Sequence, residues 1–243
     1  MVSVMEKTVE GRFSSRKKLL AAIVPPRQLS SAWNTFASGI LMPACWQQMC
    51  IRDRCEGETE ENMEAIKCIK ERRSIRKFKA EKVARDTINE IIAAAAYAPS
   101  WKNTQITRYI VVEDEAVKEK IADECVLGFA YNAKTIKGAP QLVVVTYVTG
   151  RSGFEKDGSY TTSKEDRWEN FDTGIAAQTF CLAAHDKGVG TVILGIFDDD
   201  KVKAAAGVPE GQKVAALIAM GYPDGDAPTA PKRKEADELV MYV

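Results

Sequence analysis

Two stretches far apart in the chain carry clustered cations. Arg72-Arg73-Ser74-Ile75-Arg76-Lys77-Phe78 surrounds a small hydroxyl residue with guanidinium groups, and Pro231-Lys232-Arg233-Lys234 lies near the C-terminus. A guanidinium fork matches two phosphate oxygens at once and a lysine adds a point charge, so two separated arginine sites are what clamping a phosphate requires. Each run taken singly also reads as a plain charged face. A third stretch, Ala98-Pro99-Ser100-Trp101-Lys102-Asn103-Thr104-Gln105, sets Ser100, Asn103 and Gln105 beside a stiffening proline and a flat indole. Those side chains both donate and accept hydrogen bonds, which suits the edge of a planar heterocycle and equally suits local turn capping. In Val192-Ile193-Leu194-Gly195-Ile196-Phe197-Asp198 an apolar run ends at Gly195, where the backbone can approach a ligand or bend tightly.

The elements that position these groups follow from periodicity. Ile66, Ile69 and Lys70 recur at helical spacing over Met63 to Glu71. Asp86 is expected to cap a helix whose apolar stripe is Ile88, Ile91, Ile92 and Ala95 and which stops at Pro99. Tyr109 to Val112 and the nearly continuous apolar run Gln141 to Val148 read as internal strands, with a charged helix from about Asp114 to Cys125 after the first. Gly150 to Asp166 has no internal period and reads as a surface loop, a candidate lid. Trp168 to Lys187 is a helix with Phe171, Ile175, Leu182 and Ala183 on its apolar face, ended by Gly188. Strands are expected at Thr191 to Leu194 and Val214 to Met220, with a short helix between them that starts at Asp198 and ends before Pro209. Too few strands and too varied connections exclude a regular doubly wound sheet, so the fold class is α+β.

Several chemistries are excluded. Gly188-Val189-Gly190 lacks a third glycine and follows a helix, so it is no dinucleotide fingerprint. Thirty-four Lys and Arg balance 34 Asp and Glu, which leaves no general nucleic-acid footprint. The six cysteines contain no Cys-x-x-Cys pair and the one histidine, His185, sits at a helix end where capping is its ordinary role, so no metal is expected; Asp198, Asp199 and Asp200 read as a helix start. The thiols read as reduced and the protein as cytoplasmic. No apolar run approaches the ~20 residues a membrane helix needs.

In this order, the Arg72-Arg73-Ser74-x-Arg76 opening, the Ala98-Pro99-Ser100-x-x-Asn103-x-Gln105 loop, Asp172-x-Gly174-x-Ala176-Ala177-Gln178, Gly188-x-Gly190, Gly221-Tyr222-Pro223 and Arg233 resemble the FMN-dependent nitroreductase family, over essentially all of residues 63–243. The resemblance implies a mostly antiparallel sheet flanked by helices, in an intertwined homodimer with two FMN sites at the subunit interface. It implies that Arg72, Arg73, Ser74, Arg76 and Arg233 hold the phosphate, ribityl and pyrimidine side of FMN. Pro99, Ser100, Asn103 and Gln105 would come from the partner subunit, and Leu194 and Gly195 would present backbone to the ring edge. NADH or NADPH would be the reductant and a nitroaromatic, quinone or similar small molecule the acceptor, with the chemistry carried on FMN and no catalytic side chain. The same resemblance covers reductive dehalogenation, flavin breakdown, ring dehydrogenation and a flavin-binding module without turnover. Gln105-Ile106-Thr107 departs from the family's frequent Gln-Pro-Trp, and Pro231 stands where a lysine is common, with Lys232 displaced beside it.

Residues 1–62 lack sustained period: Trp33, Phe36 and Trp46 are scattered among Ser, Gly and Pro, and an acidic run through Glu60 and Glu61 follows. Met49-Cys50-Ile51-Arg52-Asp53-Arg54 resembles a translated sequencing-adaptor junction, so the segment reads as a disordered or foreign leader ahead of a domain at 63–243. A chain shortened to begin at Met63 should fold and keep its cofactor as the full chain does, as read by far-ultraviolet circular dichroism and flavin content.

Overall fold

The structure is a computed structural model that describes residues 64–243; the expected leader, with Cys45, Cys50 and Cys55, lies outside the described residues. The helices are α1 (Ala65–Glu71), α2 (Arg85–Ala95), α3 (Glu115–Lys120), α4 (Ala130–Gly138), α5 (Arg167–Asp186) and α6 (Asp199–Ala206). The strands are β1 (Thr107–Val112), β2 (Gln141–Val148), β3 (Gly190–Leu194) and β4 (Gln212–Gly221). The strands form one sheet in the order β1-β2-β4-β3, every neighbouring pair antiparallel. The α+β class is as the sequence indicates.

β2 explains the architecture. Its residues alternate between faces, and both faces are covered, so the run is apolar throughout where a half-exposed strand would alternate with polar residues. Leu142 and Val144 join one core with Ile121, Ile136, Val192, Val202 and Leu217. Val143 and Val145 join the other with Ile88, Ile91, Phe180, Cys181, Ile218 and Met220. Helices α2 and α5 thus cover one face and α4 and α6 the other.

Gln141, the first residue of β2, is fully buried, and its amide completes a missing strand partner. Oε1 accepts from the Val83 N–H at 2.9 Å and Nε2 donates to the Val83 carbonyl at 3.1 Å. Nε2 also reaches Glu113, whose other carboxylate oxygen takes Arg85 at 2.6 Å; those two partners hold the Glu113 carboxyl below its ordinary range.

Some local expectations need correction. Asp86 does not cap α2: Ala84 holds the cap position, and Asp86 sits inside the first turn, where it faces the positive end of the helix. The charged helix after β1 stops at Lys120 and continues as a π-helical turn, Ile121–Cys125, while Asp114 caps its start by accepting from the Val117 N–H at 3.1 Å. Helix α4 was not anticipated, since its burial rests on Asn132, Thr135 and Ile136, two of them polar, and leaves little periodic signal. On α5 the buried face is Asp172, Thr173, Ala176, Ala177, Phe180, Cys181 and Ala184, not the Phe171-Ile175-Leu182-Ala183 stripe, and Phe171 is 57% exposed. Most residues on this buried side are small, with Phe180 its one large apolar side chain. Asp198 does start α6, accepting from the Lys201 N–H at 3.0 Å.

Gln141→Leu keeps the volume but strands the buried N–H and carbonyl of Val83. It should cost about 3 kcal/mol of unfolding free energy in urea titrations.

Candidate functional site

The arginine segment is placed by β3. After α1, Arg72 turns into extended backbone with its N–H still bonded to the Cys68 carbonyl at 3.0 Å, and the Ile75 N–H then donates to the Thr191 carbonyl at 3.0 Å. Ser74 forms an isolated parallel bridge with Thr191, so the segment runs along the free edge of β3. Ile75 enters the core, and strand alternation puts Ser74 and Arg76 on the opposite side. Gly190 permits this approach: a Cβ there would stand 2.9 Å from the Ile75 side chain.

The guanidinium groups at this edge are bonded to backbone carbonyls. Arg73 Nη1 donates to Lys70 and Arg72 oxygens at 2.6 and 3.0 Å, and Arg76 Nη1 to the Ser74 oxygen at 3.3 Å. Arg76 also lies over the Tyr131 ring, 5.6 Å from its centroid. Asn132, next in sequence, is buried and donates to the Ile196 carbonyl at 3.3 Å, which ties α4 to the turn at the end of β3. In that turn Leu194 is buried and Gly195 exposed, with no atom within 4 Å of where a Cβ would stand. The Cβ side of Gly195 is therefore open space.

The polar loop is built differently. Lys102, Asn103 and Gln105 all have positive φ, at 45°, 55° and 47°, a cluster of left-handed backbone that L side chains rarely adopt. Within the loop the Gln105 N–H donates to Ser100 Oγ at 3.0 Å and Gln105 Nε2 to Asn103 Oδ1 at 3.2 Å. Pro99, Ser100 and Gln105 line a cavity of about 360 Å³ together with Ile92, Tyr109, Asp172 and Ala176. Tyr109 stacks on Phe180 with centroids 5.2 Å apart, and burial pushes its phenol up to about 12.

Register separates the two halves. Thr107 pairs with Tyr147, at the end of β2 far from Gln141; Thr191 pairs with Met220, which pairs with Gln141. The polar loop, leading into β1, and the arginine segment, beside β3, thus occupy diagonally opposite corners of the sheet. Three strand spacings by six residues of rise put Thr107 and Thr191, and so these corners, roughly 25 Å apart. The cavity lined by Pro99, Ser100 and Gln105 includes none of Arg72, Arg73, Ser74, Arg76, Leu194, Gly195 or Arg233. Arg233 stands in solvent on an exposed C-terminal stretch, as does Lys232. One chain brings Arg72 to Arg76 near the β3 end and gathers the polar loop, but does not join the two groups.

The comparisons with known proteins agree with this architecture. The nitroreductase family profile matches residues 69–133 and 128–222. The chain belongs to the nitroreductase family. It is similar to a solved FMN-dependent nitroreductase from Clostridium difficile R20291, 25% identical, with a TM-score of 0.58 over 73% of this chain and 98% of that one. Among curated relatives it is 28% identical to an NADH dehydrogenase of Thermus thermophilus, over 63% of this chain and 83% of the relative. It is 26% identical to an iodotyrosine deiodinase of Thermotoga neapolitana, over 68% of this chain and 91% of the relative.

Sequence reasoning missed the support beneath the polar loop. Gly150 to Asp166 carries no regular element, but Ser152 and Gly153 are buried, and a Cβ on Gly153, whose φ is 88°, would collide with the Glu165 carbonyl. Buried Glu169 accepts from the Gly150 N–H at 2.6 Å, and burial raises its carboxyl above the ordinary range. The signal was a pair of acids, Glu169 and Asp172, three apart on a helix and therefore on one face. His185 is half-buried at the end of α5, and burial lowers its imidazole.

Because burial raises the Glu169 carboxyl on folding, its contribution is fully present below about pH 4.5, the unfolded value, and is lost as pH rises through the raised folded value. Glu169→Gln retains the acceptor without the charge. Its stability relative to the unaltered chain should rise between pH 4 and pH 7.5 in urea titrations, whereas a constant difference would show that the charge carries no penalty.

Proposed function

We propose that the chain binds FMN in a site completed by a second copy of itself, and uses NADH or NADPH to reduce nitroaromatics, quinones or similar acceptors. The observation that carries this reading is the division of one donor set between opposite corners of the sheet. Arg72, Arg73, Ser74 and Arg76 match a phosphate and the pyrimidine edge of a flavin; the guanidinium hydrogen bonds of Arg73 and Arg76 go to weakly competing backbone carbonyls. Leu194, at the end of β3, and Gly195, with open space beside it, offer backbone for the ring edge. Pro99, Ser100, Asn103 and Gln105 offer hydrogen bonds that only a second chain can bring to that place, and Arg233, on its exposed stretch, joins the phosphate. Exposed apolar side chains on the same molecule, Ile66, Ile69, Phe171, Met241 and Tyr242, fit a face that a second copy covers.

At such a site FMN supplies two-electron transfer between a nicotinamide and an acceptor that use one binding face in turn. The protein's part is to bind, orient and tune. Arg76 adds positive potential beside the pyrimidine edge, where it favours added negative charge. No side chain need act as acid or base. Among the described residues no helix is long and apolar enough to cross a membrane, and Cys68, Cys125 and Cys181 are free and buried; a cytoplasmic setting fits these thiols.

The similarity to an iodotyrosine deiodinase favours a second reading, in which the same flavin site removes halogen from a phenol reductively. Turnover of a nitroarene against a halogenated phenol, each with NADH, separates the two.

The purified chain should be yellow, should run as a dimer on size exclusion with light scattering, and should bleach on anaerobic NADH. Arg76→Ala should weaken FMN retention at least tenfold and slow the bleaching. Colourless, monomeric protein that ignores added FMN would refute the proposal.

A further inference from the structure

The polar loop holds three left-handed residues in four positions, which costs on the order of 1–3 kcal/mol each unless surrounding structure enforces them. The enforcing group is visible. Asp172, 4% exposed on the second turn of α5, accepts through one carboxylate oxygen, Oδ2, from the Trp101 N–H at 2.8 Å and from Ser152 Oγ at 2.6 Å. Ser152 Oγ in turn shares a hydrogen bond with Thr104 Oγ1 at 2.7 Å. The carboxylate therefore grips the loop directly at Trp101 and, through Ser152, again at Thr104, so that both flanks of Lys102 and Asn103 are held. The grip is buried, where a charged acceptor binds its donors more strongly than it would in water.

The same contacts bring in Gly150 to Gly153. Glu169, one turn earlier on α5, holds Gly150, while Asp172 holds Ser152. Trp101 packs on Trp168 with centroids 4.9 Å apart, and Lys102 pairs with Glu155 at 3.0 Å on the exposed side. The start of the expected lid is thus fastened to the polar loop at several points.

We infer that Asp172 is a positioning residue: it locks the Ser100–Gln105 turn and the Gly150–Gly153 segment to α5 as one rigid unit, and so sets the geometry in which the turn meets a flavin. The flavin part of this rests on the function proposed above; the locking itself does not. Asp172 also lines the cavity next to Ser100 and Gln105, so the lock lies directly behind the surface the turn presents.

Three variants of the full-length chain test it: Asp172→Ala, Ser152→Ala and Asp172→Asn, whose amide oxygen can still accept from Trp101 and Ser152. Hydrogen exchange of the amides at 101–105 and 150–153, measured without added FMN, should speed up at least tenfold in Asp172→Ala and in Ser152→Ala, while β2 and the second half of α5 exchange as before. Titrated with FMN, Asp172→Ala should bind about tenfold more weakly or worse and give an altered visible circular dichroism of the bound flavin, and Asp172→Asn should restore both. Should Asp172→Ala not fold, Ser152→Ala and Asp172→Asn carry the test between them. Exchange at 101–105 unchanged in Ser152→Ala, or an Asp172→Asn chain whose turn exchanges as fast as that of Ser152→Ala, would overturn the inference. An unaltered chain that binds no FMN while the exchange pattern holds would refute the flavin reading and leave the lock standing.

Discussion

β2 is buried on both faces and hydrogen-bonded on both edges, and nearly everything else follows from that. Its neighbours' registers are set because a slip of one residue would carry Leu142 and Val144 into the core that Val143 and Val145 occupy, and the reverse. Once β1 and β4 are paired with β2, and β3 with β4, the corners of the sheet are settled. The loop before β1 must emerge at one of them. The segment beside β3 must emerge at the diagonal one.

On the proposed reading, that constraint would make the site a property of two chains. The arginine segment is held at its corner by backbone bonding to Thr191 and by the close approach at Gly190. The polar loop is held at the other by a buried carboxylate and left-handed backbone. Both are firmly placed, and neither is placed by the other. A protein organised this way gains nothing from flexing the halves together. The FMN site proposed above would need a partner that presents the complementary half, and apolar side chains of α1, α5 and the C-terminal stretch are exposed.

Firm placement also bears on what each half can do. On the proposed reading, arginines bound to backbone carbonyls could exchange those partners for a phosphate without leaving an unpaired carboxylate behind. A turn whose left-handed residues are held from beneath offers Ser100, Asn103 and Gln105 in a fixed arrangement, so little order has to be gained on binding. The long Gly150 to Asp166 connection, which by composition alone looks free, spends its first residues bracing that turn.

Much of this was legible in the residues. The uninterrupted apolar run of β2, the cap at Asp198, the ending at Gly188 and the six motifs of the nitroreductase family are local patterns, written in residue types a few positions apart, and they were sufficient for the α+β class and the family. The unread parts are those in which burial is decided by neighbours distant in sequence. Small residues, Phe180 and two acids of α5 face inward, a different face from the stripe that Phe171 and Ile175 suggest. Helix α4 is anchored partly by polar Asn132, and Asp172 finds its donors 20 and 71 positions away. Sequence by itself determined which side chains are available to bind a planar, phosphate-bearing molecule. Tertiary structure decided where they stand, because strand register, unlike composition, converts separations along the chain into distances in space.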